Sequence, residues 1–353
     1  MGIAQRTRRL SNLLTLFLIL TIATVSAACT GDSTDSLPTT LMKPQTQIVF
    51  PTPSTIATIQ PADTQVTKTI QPTQCLNEST SSEPDNTGIT DQNSENDYIT
   101  MFAFPIPEDG NRVIESTYRF GSTQSGALIP HDGVEILNPL GTPVLAVADG
   151  EVFFAGNDRT LKRGRFTNFY GNIIIIKHEL KGYSEPVYSF YAHLDQVFVT
   201  DGQPVSSGQE IGTVGASGKA FTNHLHFEVR VGDVNLQNAR NPELYLPLIK
   251  PDDQTEVGIL IGAILNRYNN PITGLSVVVQ RVENGTTIPG SSIYLETYAK
   301  TIYADSRWNE NFVLSNLPVG EYRVSTFANG IFLEQFIEIK PGEVTHIIMK
   351  PEE

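Results

Sequence analysis

The sequence predicts a mostly β protein: an antiparallel β-sheet domain, then a small β-sandwich domain, after a disordered N-terminal linker. Three observations carry that expectation. Apolar and β-branched runs of strand length recur about every ten residues, with Gly, Pro or Asp between them. Helical periodicity is nearly absent after residue 30. Glycine (27) and proline (22) are plentiful. A chain of 353 residues has room for two domains and some unfolded sequence. Its formal net charge of -14 leaves it without the basic face that nucleic acid requires, so no nucleic-acid partner is expected.

Residues 1–28 read as a secretory signal. Arg6, Arg8 and Arg9 precede the apolar run 13–22 and the small residues Ser26, Ala27 and Ala28. The apolar part is too short to span a bilayer. Cys29 follows at once, and SAAC resembles a bacterial lipobox, in which the cysteine becomes lipidated after cleavage. The alternative is ordinary cleavage nearby, leaving Cys29 and Cys75 able to pair in an oxidising compartment. The chain is thus expected outside the cytoplasm, either secreted or lipid-anchored through Cys29 to the outer face of the cytoplasmic membrane. Residues 29–97 are rich in Thr, Pro, Ser, Gln and Asn, with apolar residues appearing singly. Such a stretch cannot bury enough surface to offset its ordering entropy and reads as a disordered linker.

From 98 to 250 strands are dense: TPVLAVADGEVFFAG, NIIIIKHEL, EPVYSFYAHL, QEIGTVGAS and HLHFEVRVG. A second unit, 251–353, carries VGILIGAILN, SVVVQRV, NFVLSNLPVGEYRVSTF, FLEQFIEI and VTHIIMK, consistent with a small sandwich. The composition changes across LIKPDDQTE, residues 248–256. The two cysteines lie outside both units, which leaves no thiolate for a metal site within them.

Five of the six histidines fall between residues 131 and 226. In NHLHFEVR, strand alternation puts Leu225, Phe227, Val229 and Val231 on one face and His224, His226, Glu228 and Arg230 on the other. Two imidazoles then project side by side from a rigid strand, a geometry suited to a metal ligand or a general base. In HDGVEI (131–136) the same period aligns His131, Gly133 and Glu135 and turns Asp132 away. Gly133 leaves room there for a close approach of backbone. Tyr191 shares the face of His193 by the same rule. His178 reads as structural or substrate-side.

Taken together, HDGVEI, GTPVLAVADGEV, YAHL, PVSSGQEIGTVGASG and HLHFEV, in that order, resemble the lysostaphin/LytM-type zinc metallopeptidases that cut peptidoglycan peptides. The likeness covers about 125–245. It implies Zn2+ held by His131, Glu135 and His226, with His193 and His224 as the catalytic histidines. Three protein ligands would leave zinc an open position for water, whose pKa it lowers. The family's acid is normally aspartate; Glu135 is one methylene longer. The implied function is a zinc-dependent endopeptidase acting on peptide cross-links of bacterial peptidoglycan. The alternative is an inactive member that binds the wall or activates another wall hydrolase. Glu135→Asp separates two cases: a site that tolerates either acid keeps its metal and matches or raises activity, and a backbone adapted to glutamate loses the metal. The last unit resembles carboxypeptidase-regulatory-like sandwiches through NNPITGLSVVVQ, FVLSNLPVGEYRVSTFANG and IKPGEVTHIIM, which says little about ligands.

Overall fold

The computed structural model describes residues 101–351. The expected signal, the linker and both cysteines lie outside them. Among the described residues no helix is long and apolar enough to cross a membrane. Regular structure is almost entirely strand, as the turn-punctuated sequence predicts.

Nine strands build the first sheet: β1 (Val134–Leu137), β2 (Pro143–Leu145), β3 (Gly150–Asn157), β4 (Asn172–His178), β5 (Val187–Val197), β6 (Pro204–Val205), β7 (Glu210–Val214), β8 (His224–Val231) and β9 (Ala239–Arg240). Their spatial order is β1-β8-β5-β4-β3-β6, with β7 joined to β5 and β2, and β9 joined to β8. Every pairing in this sheet is antiparallel.

Eight further strands follow: β10 (Val257–Ile264), β11 (Ser276–Glu283), β12 (Thr286–Thr287), β13 (Ile293–Glu296), β14 (Phe312–Pro318), β15 (Gly320–Ala328), β16 (Ile331–Ile339) and β17 (Val344–Met349). They form a three-stranded sheet, β14-β10-β17, and a five-stranded one, β12-β11-β15-β16 with β13 on β11. The β10–β17 pair is parallel, the exception in an otherwise antiparallel fold. β13 and the two-residue strands β6, β9 and β12 were not legible in the sequence, because short pairings are set by neighbours rather than by period.

The central strands of the first sheet are buried on both faces. Ile173, Ile174, Ile175 and Ile176 of β4 are all 0% exposed. Ile174 and Ile176 join the main core, whereas Ile173 and Ile175 pack with Tyr170 and Phe190 on the other side. A strand buried on both faces reads as a continuous apolar run rather than an alternation. β8 keeps the expected faces, with Leu225, Phe227 and Val229 in the main core. Its polar face is not a solvent face: His224, His226, Glu228 and Arg230 are all buried.

The main core also crosses to the second unit. Ile259, Ile261, Tyr298, Trp308 and Val313 belong to it. Tyr245 Oη donates to Asp305 at 2.6 Å and Asn241 Nδ2 donates to Tyr298 Oη at 3.0 Å. Residues 101–351 lie in one compact unit, and the turn of composition near 250 falls where the chain leaves the first sheet for β10.

His178 ends β4 with no exposure. Its Nδ1 lies 2.8 Å from Asp149 O and its Nε2 2.7 Å from Ser189 Oγ. Burial pushes its pKa down to about 4, against an ordinary 6.5, although the Asp149 carbonyl opposes the shift. The unfolded chain then binds the proton more readily than the native one. This contribution to stability is complete above pH 6.5 and is lost as pH falls toward 4. Between pH 7 and pH 5 it should remove about 2 kcal/mol of stability. Urea denaturation of the parent and of His178→Gln at the two pH values checks this: the variant should lose less, and equal losses would refute the assignment.

Candidate metal centre

β1 and β8 pair so that Glu135 stands opposite His226. This register is what brings two distant motifs together. His131 precedes β1 by three residues, and its ring folds back over the strand. His131 Nε2 lies 2.9 Å from Glu135 Oε1, and His226 Nδ1 lies 3.1 Å from the same oxygen. The donor atoms of His131, Glu135 and His226 all fall within 4.8 Å of one another. Gly133 is required at its place, because a Cβ there would sit 2.5 Å from Phe227 O. Asp132 turns away, as its position in the period implies, and accepts from Arg165 Nη2 at 2.7 Å.

Each imidazole has one nitrogen committed elsewhere. His131 Nδ1 is 2.7 Å from Tyr118 O, His193 Nδ1 is 2.8 Å from Ser217 O, and His224 Nδ1 is 2.8 Å from Thr222 O. A carbonyl accepts only, so each of these Nδ1 atoms donates, and a neutral ring is left with an unprotonated Nε2. His226 is inverted. Its Nε2 meets Glu228 Oε1 at 2.9 Å, leaving Nδ1 to face the cluster.

Glu228 is itself gripped. Arg230 donates to its Oε2 from Nε at 2.8 Å and from Nη2 at 2.6 Å. Tyr170 Oη donates to its Oε1 and accepts from Arg230 Nη2. The Arg230 guanidinium stacks on Phe190 with its Cζ 3.9 Å from the ring centroid. Glu228, Arg230 and Tyr170 are all 0% exposed. The His-x-His-x-Glu-x-Arg spacing of the strand was the available signal for this arrangement. Tyr118, whose ring stacks on His131 at 4.2 Å and 7°, had none.

His193 arrives by a different route from the one expected. It has φ +61, in the left-handed region that β-strand residues avoid. The kink reverses the alternation of β5. Tyr191 goes into the main core, where its hydroxyl accepts from Val147 N at 3.0 Å. His193 emerges on the opposite face, 4.8 Å from the His224 ring centroid and 5.6 Å from that of His226. The shared face expected for Tyr191 and His193 is therefore wrong, because strand period assumes an unbroken pleat. His178 lies in the core, bonded within the sheet.

The residues fit a divalent cation. Burial pushes the Glu135 carboxyl up, but the His226 charge and the close approach of the His131, His224 and His226 imidazoles hold it well below the usual range. Burial pushes His226 down, but Glu135 and Glu228 carry it up to about 10. Two buried carboxylates thus demand positive charge at this point, which a proton or a metal could supply. Glu135 Oε2 has no hydrogen-bond partner, although His224 Nε2 is 2.9 Å away. Two imidazole nitrogens and a carboxylate oxygen suit zinc. The cluster opens on a cleft of about 450 Å3, walled by Tyr118, Leu128, Ile129, Phe169 and Phe221, with Lys219 at its rim.

An antiparallel sheet presenting this His–Glu–His trio beside two more imidazoles is the frame of a metallopeptidase-type domain. Residues 129–241 match peptidase family M23, and this segment is an M23 domain. Murein hydrolase activator NlpD of Salmonella dublin is 39% identical over 145 residues, 41% of this chain and 32% of NlpD. Peptidoglycan DD-endopeptidase ShyB of Vibrio cholerae is 36% identical over 108 residues, 30% of this chain and 22% of ShyB. The catalytic domain of lysostaphin from Staphylococcus simulans is 30% identical, with a TM-score of 0.28, over 32% of this chain and 76% of that domain. The chain spans about a third or less of the length of the two curated relatives.

Proposed function

We propose that the chain is a zinc-dependent endopeptidase cleaving peptide cross-links of bacterial peptidoglycan, exported and tethered through a lipid on Cys29. One observation carries the reading: all five motif histidine and glutamate side chains converge on one cleft, with their outer nitrogens already bonded. His131 Nε2, His226 Nδ1 and the Glu135 carboxylate would hold the ion. Zinc bound there would polarise a scissile carbonyl and lower the pKa of its water. His193 and His224, with Nδ1 bonded elsewhere, would each keep Nε2 for proton transfer beside it. Unprotonated, such a nitrogen takes a proton from the attacking water; protonated, it donates to an oxyanion in the transition state. The two roles divide between these rings. The carbonyls of Ser217 and Thr222 fix their orientation, so no ring has to be ordered during reaction.

The second reading is an activator of another wall hydrolase, favoured by the similarity to NlpD. Zinc analysis of the purified chain, run beside digestion of a peptidoglycan preparation, separates the two. Release of soluble peptides, abolished by a chelator and restored by zinc, supports the enzyme. Bound zinc without release, together with stimulation of a second hydrolase, supports the activator. No zinc uptake removes the endopeptidase.

Glu135→Asp tests the fit of the acid. The β1–β8 ladder holds the Glu135 backbone opposite His226, so the shorter side chain cannot advance with its strand. Its carboxylate withdraws by about 1 Å, a misplacement that costs roughly a hundredfold in rate. Hydrolysis should fall by about that factor and zinc should bind more weakly. Undiminished hydrolysis would show that β1 follows the side chain.

A further inference from the structure

We infer that the C-terminal sandwich is a clamp on the segment that orients His131, and that Glu296 is its principal positioning residue. The inference rests on the metal reading of the site for its consequence, but on contacts alone for the clamp itself.

Segment 118–131 closes around the first histidine. Tyr118 stacks on the ring and its carbonyl accepts from Nδ1. His131 N donates to Ser122 O at 3.1 Å, and Gly121 N donates to His131 O at 2.8 Å. Both the backbone and the imidazole of His131 are therefore fixed by this one loop. The loop also supplies Tyr118, Leu128 and Ile129 to the cleft wall. It contains no helix or strand of its own that could stiffen it.

The stiffness comes from the far side. Glu296, the last residue of β13, accepts from Ser122 Oγ at 2.7 Å, Thr123 N at 2.9 Å, Thr123 Oγ1 at 2.8 Å and Ser125 N at 3.4 Å. One carboxylate thus ties three residues of the loop. Two residues on, Tyr298 packs edge-on against Phe120 with centroids 5.2 Å apart. Gly121 has φ +78, and a Cβ there would lie 2.5 Å from the Tyr298 ring, so the loop rests directly on it. Ala299 N donates to Gly121 O at 2.8 Å. A second tie runs through Arg119, which donates to Glu243 at 3.0 Å. Glu243 in turn accepts from Ser315 N at 2.9 Å and Ser315 Oγ at 2.7 Å, on β14. Arg165 Nη2 also holds the loop from the first unit, donating to Pro130 O at 2.7 Å, but the ties of Glu296, Tyr298, Ala299 and Ser315 come from the sandwich. A ligand carried on a loop holds its geometry only when supporting bonds lock it. On this argument the sandwich completes the centre rather than serving as a spacer.

The test compares the full chain with Glu296→Ala and with Val324→Ala, which loosens the sandwich core away from the loop. Amide hydrogen exchange over 118–131 is followed on the metal-free proteins, and zinc affinity is read by competition with a chromogenic chelator. Glu296→Ala should speed loop exchange about tenfold and weaken zinc binding at least about tenfold, the scale set by partners of metal ligands. Val324→Ala should lower the melting temperature and leave both quantities unchanged. Glu296→Asp, which keeps the charge, should recover part of each. The clamp is refuted if Glu296→Ala moves neither quantity, or if Val324→Ala moves both as far. A parent chain that takes up no zinc would remove the metal reading, and the exchange measurement alone would then decide the clamp.

Discussion

Replacing Glu228 with alanine should lower stability by about 3–5 kcal/mol, the cost of leaving a buried charge unpaired. Arg230 would keep Tyr170 Oη and Val234 O as partners at zero exposure but lose its ion-pair carboxylate, with Asp132 acting on it only at longer range. For a protein whose total stability is about 5–15 kcal/mol, this is a large fraction. The melting temperature should drop by roughly 10 °C. Zinc affinity should fall about 10- to 100-fold as well, because Glu228 holds the His226 Nε2 proton and so keeps Nδ1 toward the cluster. The two effects can be separated. The double variant Glu228→Leu, Arg230→Met removes both charges together, a change that is often neutral for buried pairs. Stability should largely return in it while zinc affinity stays low. Thermal melts and chelator competition on the three proteins measure both. A single variant within about 1 kcal/mol of the parent would show that Arg230 finds another counter-charge, and the role given to Glu228 would fail.

His224→Ala should reduce peptide hydrolysis about 10²- to 10⁴-fold while zinc content stays the same, the range for loss of a positioned proton donor or acceptor. The ring stands beside the His131–Glu135–His226 group of converging donors, with Nε2 2.9 Å from Glu135 Oε2, and is not one of its three members. Its loss should change kcat rather than metal occupancy. Full hydrolysis by the variant would overturn the proposed mechanism. Joint loss of zinc and hydrolysis would make His224 a ligand and reassign the trio.

The legible parts of this protein are those governed by local period. β8 shows this best: alternate residues of HLHFEVRV fall on the two faces the pleat demands. The Gly133 step and the turn of Asp132 away from the donor group toward Arg165 follow from the same two-residue repeat. β5 shows where it stops. The positive φ of His193 is held by backbone bonds to Tyr170 O and from Ser217 N, partners from other parts of the chain. Residue type alone does not announce it: histidine is enriched among positive-φ residues, but such residues are a few per cent of the total, and the partners that hold this one are remote in sequence.

By itself, the sequence determined that the chain is β-rich, where its longer strands run, and which histidine and acid motifs share one order along it. These depend on side-chain pattern and on neighbours a few residues apart. Only the tertiary structure decided that Glu228 and Arg230 are buried beneath His226, that Tyr118 caps His131, and that Glu296 grips the loop between them. Those contacts join segments remote in sequence, and each depends on how twisted sheets pack and on which buried polar groups must find partners. Neither constraint leaves a repeat in the chain.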